Sequence, residues 1–129
     1  MSCHLASSMS VFLSIPQTDI IFRSKFFFVV RDKFPVSKGH SLIISNRKVL
    51  TYFDLLKPEK LELIDVIDKV KQQLELELKP NGFNVGFNCG EAAGQTVMHF
   101  HCHVIPRYFG DMKDPRGGIR HCINGKGYY

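Results

Sequence analysis

Apolar and polar positions along the chain change period several times, and each change marks a predicted element. Residues 1–10 are small and polar with little period, so a loose arm is expected ahead of the domain, extending to residue 17. β-Branched and aromatic residues fill Asp19 to Ser24 and Phe26 to Arg31, and the short Ser24-Lys25 link predicts a hairpin. Pro35 and Gly39 break the pattern, and His40 to Ser45 predicts a third strand. Beyond the turn at Asn46-Arg47-Lys48, Leu61, Ile64, Ile67, Val70, Leu74 and Leu78 recur at spacings of three and four. Opened by Pro58 and stopped by Pro80-Asn81-Gly82, that stripe predicts one long amphipathic helix that needs a sheet to lie on. Phe83 to Phe87 is a fourth strand, Asn88 to Gly94 a glycine-containing loop, and Gln95 to Arg107 a fifth strand. Consecutive strands with a single long helix predict an α+β domain, residues 18–108, with an antiparallel sheet of about five strands. Residues 109–129, rich in Gly and Asn turns, read as an irregular tail laid over it.

The fifth strand departs from a purely structural pattern. His99, His101 and His103 sit two apart in an otherwise apolar run. In an extended strand they project to one face while Met98, Phe100, Cys102 and Val104 project to the other. A sheet does not need three neighbouring imidazoles, whose mutual repulsion on protonation costs stability unless something uses them.

Composition narrows the setting. A chain of 129 residues fits one domain with a real core. The formal charge of +5 is spread without a long basic run, which suits anionic small molecules at least as well as nucleic acid. Cys3, Cys89, Cys102 and Cys122 form no Cys-x-x-Cys pair, so free thiols in a reducing, cytoplasmic setting are expected. Val11 to Ile15 is too short and broken for a membrane span or a signal peptide.

Three chemistries fit a histidine ladder. Neutral imidazoles at i and i+2 can share a cation, although Glu91 is the only acid close by for a metal-assisted hydrolysis. An imidazole can instead attack a phosphate, since a neutral nucleophile escapes the repulsion an anion meets there. Its neighbours would then fix the tautomer and donate to phosphate oxygens, and Asn88, Gly90, Gly94, Gln95 and Thr96 supply donors for an anion cradle. The third possibility is a satisfied structural ladder.

His99-Phe100-His101-Cys102-His103-Val104-Ile105 resembles the histidine triad motif of the HIT superfamily of nucleotide hydrolases and transferases. The resemblance extends through Asn88 to Val97 and through Ile105-Pro106-Arg107, closer to the fragile histidine triad style than to Hint-type endings. Upstream, Val30 to Ile44, with Asp32, Pro35 and Gly39-His40, is similar as well, and coverage runs over residues 18–129. The resemblance implies a HIT-like fold, a homodimer with a sheet continued across its interface, and catalysis through a nucleotidyl-histidine intermediate. By the same carry-over, His101 is the nucleophile on the α-phosphate and His99 orients it through its backbone carbonyl. His103 contacts phosphate and leaving group, supported by His40. Asp32 binds ribose, Val30 lines the base pocket, and Asn88, Gln95 and Thr96 hold phosphate oxygens or the bridging atom.

The implied substrates are dinucleoside polyphosphates or nucleoside phosphoramidates. No resident cofactor is expected, and Mg²⁺ would enter only as the counterion of a polyphosphate. Residues 1–17 do not match, and the Cys-x-x-Cys pair of zinc-bearing relatives is missing, which argues against a structural zinc. Competing readings are a nucleotide-binding module without turnover and a metal-dependent hydrolase using the ladder. Nucleic-acid processing is disfavoured by the lack of a basic stripe. Arg116, Arg120 and Lys126 of the tail are further candidates for contacting a long polyphosphate, with solvated charge as the competing explanation.

Overall fold

A computed structural model describes residues 10–129, so Cys3 and His4 of the expected arm lie outside the described residues. Five strands, β1 (Ile20–Arg23), β2 (Phe27–Arg31), β3 (Ser41–Ser45), β4 (Gly82–Gly86) and β5 (His101–Arg107), form one sheet in the order β1-β2-β3-β5-β4. Every neighbouring pair is antiparallel. The helix α1 (Lys57–Leu78) crosses one face. On that face Phe27, Val29, Ile43, Cys102 and Val104 pack against Leu63, Val66, Val70 and Leu74. On the other face Phe28, Val30, Leu42 and Ile44 form a second cluster, covered by Phe12, Ile15 and Ile20. Because both faces are covered, β2 and β3 carry continuous apolar runs instead of alternating ones.

Residues 10–17 are therefore built into the domain, where a loose arm was expected. Ser10 is buried and its Oγ accepts the Phe12 N–H, capping a 3-10 turn at Val11–Ser14 that turns Phe12 and Ile15 onto the sheet.

The predicted apolar stripe of the helix is corrected at its N-terminal half. Leu61 and Ile64 point outward, 56% and 59% exposed, while Leu63 and Val66 are buried and Ile67 and Leu78 flank the core. Two stripes of helical spacing converge on Val70 and Leu74, and the one that reaches them through Leu63 and Val66 faces the sheet. Its first member is an acid. Glu59 is buried because Arg47 forks onto both its oxygens (Nη2–Oε1 2.8 Å, Nε–Oε2 3.1 Å) while Oε1 also accepts the Leu56 N–H that opens the helix. An acid in a core-facing position disguised the start of the stripe.

The loop from Asp32 to His40 is held at both ends and in the middle. The Asp32 N–H donates to the His40 carbonyl (2.9 Å), Asp32 Oδ1 accepts the Phe34 N–H (2.9 Å), and Ser37 Oγ–H donates to the Pro106 carbonyl (2.6 Å). Gly39, at φ 91°, lets this loop press on the end of α1. A Cβ there would lie 2.6 Å from Leu78 Cδ1 and 2.9 Å from Leu74 Cδ2.

The tail is irregular apart from a 3-10 turn at Gly118–Cys122. Arg107 anchors its start, pairing with Asp111 and Asn84, and Ile119 reaches the Gly86 end of β4.

Candidate active site

The β3–β5 register sets the site. Leu42 lies opposite His103 and Ile44 opposite His101, so both histidines share the face covered by the N-terminal segment, while Cys102 and Val104 face α1. Burial pushes the Cys102 thiol up to about 12, consistent with a packing role only.

His101 and His103 line a cleft of about 910 Å³. Val11, Phe12 and Ile15 form one apolar wall, and Val30 and Leu42 present apolar sheet positions. Asp32, Lys33 and Phe34 contribute from the loop after β2, and Asn88, Gly94, Gln95, Thr96 and Val97 from the loop before β5. The nine residues to which the resemblance gives a role, Val30, Asp32, His40, Asn88, Gln95, Thr96, His99, His101 and His103, are thus in or directly behind one cleft. Val11, Phe12, Ile15 and Leu42 were not foreseen as site residues. The Val11-Phe12 and Ile15 spacing behind a Ser cap was the available signal for the first three.

His99 and His40 stand behind the cleft. His99 precedes β5 in a bend, so strand alternation does not set its direction, as the sequence pattern had suggested. Its ring is fully buried. Nε2–H donates to the Ser45 carbonyl at 2.7 Å, Nδ1 has no hydrogen-bond partner among the described residues, and Phe12 packs edge-on at 5.6 Å. The His99 carbonyl accepts the Nδ1–H of His101 at 2.8 Å. A carbonyl can only accept, so His101 carries its proton on Nδ1 and its lone pair on Nε2. Phe12 also packs edge-on against His101 at 4.9 Å between ring centres.

Burial lowers the pKa of His40, His99, His101 and His103 below the usual imidazole value. For His103, burial followed by the proximity of His101 and His40 brings it to about 4, against the opposing pull of Asp32. Asp32 Oδ2 stands 3.5 Å from His40 Nε2, which in turn lies 2.9 Å from His103 Nδ1. Asp32, His40 and His103 each offer one ligand atom, all within 4.8 Å of one another. The three triad histidines do not converge in this way, because His99 and His101 direct nitrogens at backbone carbonyls.

Gln95 is placed differently from a phosphate ligand. It is buried, its Oε1 accepts the Gly90 N–H (2.8 Å), and its Nε2 donates to the Leu50 (2.7 Å) and Val97 (3.1 Å) carbonyls. Its side chain braces the loop and shapes what the backbone presents. Arg120 and Arg116 are used within the tail, Arg120 donating to the Gly127 and Lys126 carbonyls and both stacking on Tyr129. Neither they nor Lys126 line the cleft.

Fold and site together define a histidine-triad domain, an antiparallel sheet that carries paired imidazoles beneath a nucleotide-sized cleft. The chain belongs to the HIT family: the HIT domain model matches residues 15–110. It is 34% identical over 112 residues to an AP-4-A phosphorylase of Mycobacterium tuberculosis, covering 82% of this chain and 57% of the relative. It is 33% identical over 97 residues to the asymmetrical bis(5'-nucleosyl)-tetraphosphatase of Schizosaccharomyces pombe, covering 75% and 53%. The chain thus spans little more than half the length of these curated relatives. The crystal structure of a HIT family protein from Bacillus anthracis superposes with a TM-score of 0.74 at 28% identity, over 94% of this chain and 79% of that one.

Proposed function

We propose that the protein is a nucleotide hydrolase or nucleotidyltransferase that acts at the α-phosphate of dinucleoside polyphosphates through a nucleotidyl-His101 intermediate. The observation that carries this reading is the 2.8 Å bond from His101 Nδ1–H to the His99 carbonyl, which leaves the Nε2 lone pair on a ring that lines the cleft. Burial keeps that imidazole neutral at pH 7, as a nucleophile must be. Nε2 attacks the α-phosphorus, and the bond from phosphorus to the bridging oxygen breaks. The second nucleoside phosphate departs with the electron pair. Water then cleaves the phosphorus–nitrogen bond and restores His101.

The remaining lining fits a nucleotide by chemistry. Phe12, Ile15, Val30 and Leu42 offer the apolar faces a base requires, Asp32 accepts from ribose hydroxyls, and Asn88, Thr96 and the backbone braced by Gln95 receive phosphate oxygens. The relatives named for AP-4-A and bis-nucleosyl tetraphosphate support the polyphosphate class, with phosphoramidates as the second substrate class. Mg²⁺ enters only as the counterion of the polyphosphate, and the working form is a cytoplasmic homodimer.

The test is AMP release from diadenosine tri- and tetraphosphate and from adenosine 5′-phosphoramidate, with and without EDTA, for the parent and His101→Asn. Turnover of the phosphoramidate that resists EDTA, and a loss of about 10⁴-fold or more in His101→Asn with nucleotide binding retained, is expected. Loss with EDTA on the phosphoramidate would favour a metal-dependent reaction. Binding without turnover in the parent would make the protein a nucleotide-binding module.

A further inference from the structure

We infer that the backbone amide of Val36 is a positioning group for the reaction, fixing the tautomer of His40 and, through it, the tautomer that His103 presents to the substrate. The inference rests on the hydrolase reading above and adds to it a group that no side-chain pattern marks.

The chain of constraints starts at a donor that cannot change. The Val36 N–H donates to His40 Nδ1 at 3.2 Å. An amide has no lone pair to offer there, so Nδ1 must be the acceptor nitrogen of a neutral ring, and the proton of His40 resides on Nε2. A proton on Nδ1 as well would face the Val36 N–H. Nε2–H of His40 lies 2.9 Å from His103 Nδ1 and 3.5 Å from Asp32 Oδ2. His103 Nδ1 therefore accepts, and His103 carries its proton on Nε2, the ring nitrogen away from His40. His103 lines the cleft and His40 does not. Beside it, His101 is fixed in the opposite sense by the His99 carbonyl. Two neighbouring rings on one strand thus present complementary atoms: a lone pair on His101 Nε2 and an N–H on His103 Nε2.

This order suits a phosphate centre. While His101 Nε2 forms its bond to phosphorus, His103 Nε2–H donates a hydrogen bond to a phosphate oxygen and keeps its proton. If His40 took the other tautomer, His103 Nδ1 would face a lone pair. His103 would then turn its N–H back to His40 and set a second lone pair against phosphate oxygens. The amide is pre-positioned, since the loop that carries it is pinned by the Asp32, Phe34 and Ser37 bonds and by Tyr108 Oη–H donating to the Lys38 carbonyl at 2.8 Å. The same lock bears on the Asp32, His40 and His103 cluster. A cation there needs a lone pair on His40 Nε2, which the Val36 bond opposes.

Long-range ¹H–¹⁵N correlation spectra of the full chain at pH 7, without substrate, read the tautomers directly. Expected are Nε2–H forms for His40 and His103 and an Nδ1–H form for His101. An Nδ1–H or charged His40 in the parent overturns the inference. Val36→Pro, and separately the α-hydroxy acid of valine at position 36, remove the N–H, the second while keeping the side chain and its backbone angles. Mixed tautomers at His40 and His103 with His101 unchanged, and kcat lower by about tenfold at a KM within about twofold, are expected. Parent-like tautomers in the hydroxy-acid variant overturn it. If the parent turns over no nucleotide, the hydrolase reading fails, and the tautomers of the parent and the hydroxy-acid variant alone decide whether Val36 sets the lock.

Discussion

At the scale of single residues, three of the four histidines of the site owe their state to burial and to backbone groups, and the fourth, His103, to burial and to its neighbour His40. Backbone carbonyls receive N–H groups from His99 and His101, and a backbone amide is bound by His40. Their lowered pKa values have a consequence for stability. Below the ordinary imidazole value of 6.5 the unfolded chain binds protons that the folded chain refuses, so stability is full above that pH. It is lost as pH falls from there towards about 4, the value for His103. The melting temperature should fall by about 5–10 °C between pH 7 and pH 5. In His103→Asn the fall should be shallower, as calorimetry over that range would read. A melting temperature that is flat with pH would mean that these imidazoles are solvated. The three-histidine spacing announced the centre plainly, and Asp32 and His40 followed from a wider resemblance. The amide of Val36 left no trace in the sequence, because every residue other than proline supplies the same N–H.

At the scale of elements, the loop between β2 and β3 does more than connect. Gly39 lets it approach Leu74 and Leu78 at the end of α1, and the same contact delivers His40 to the start of β3. Gly39→Ala meets both a positive φ and two side chains at less than 3 Å. It should cost about 2–3 kcal/mol in urea unfolding and lower turnover by displacing His40. An alanine variant as stable as the parent would show that the loop has room to withdraw. Five strands and one helix were legible from period and breakers. Which stripe of α1 faced inward was not, since Leu61-Ile64 and Leu63-Val66 are equally helical in spacing. Glu59, at the head of the inward stripe, reads as a solvent-facing acid until the fold sets Arg47 against it.

At the scale of the whole molecule, the sheet has two edges, β1 and β4. Among the described residues β4 pairs only with β5, and its other side carries the short run Gly82-Phe83-Asn84-Val85-Gly86 beside the tail. A homodimer that continues the sheet would cover such an edge. Sedimentation at micromolar concentration should give twice the 14.8 kDa chain mass. A mass of one chain would reject the dimer and leave the cleft as a site complete in one protomer. Among the described residues, no helix is long and apolar enough to cross a membrane.

Local chemistry along the chain determined the strands, the helix, the punctuating Pro and Gly residues and the alternation that sets His101 and His103 apart from Cys102 and Val104. These depend on neighbours within a few residues, where period and propensity act directly. Only the tertiary structure decided that Phe12 and Ile15 wall the cleft, that Gln95 braces its loop, and that Val36 governs His40. Each of those contacts requires a partner brought close by the packed sheet and a buried polar group that must be satisfied once water has left.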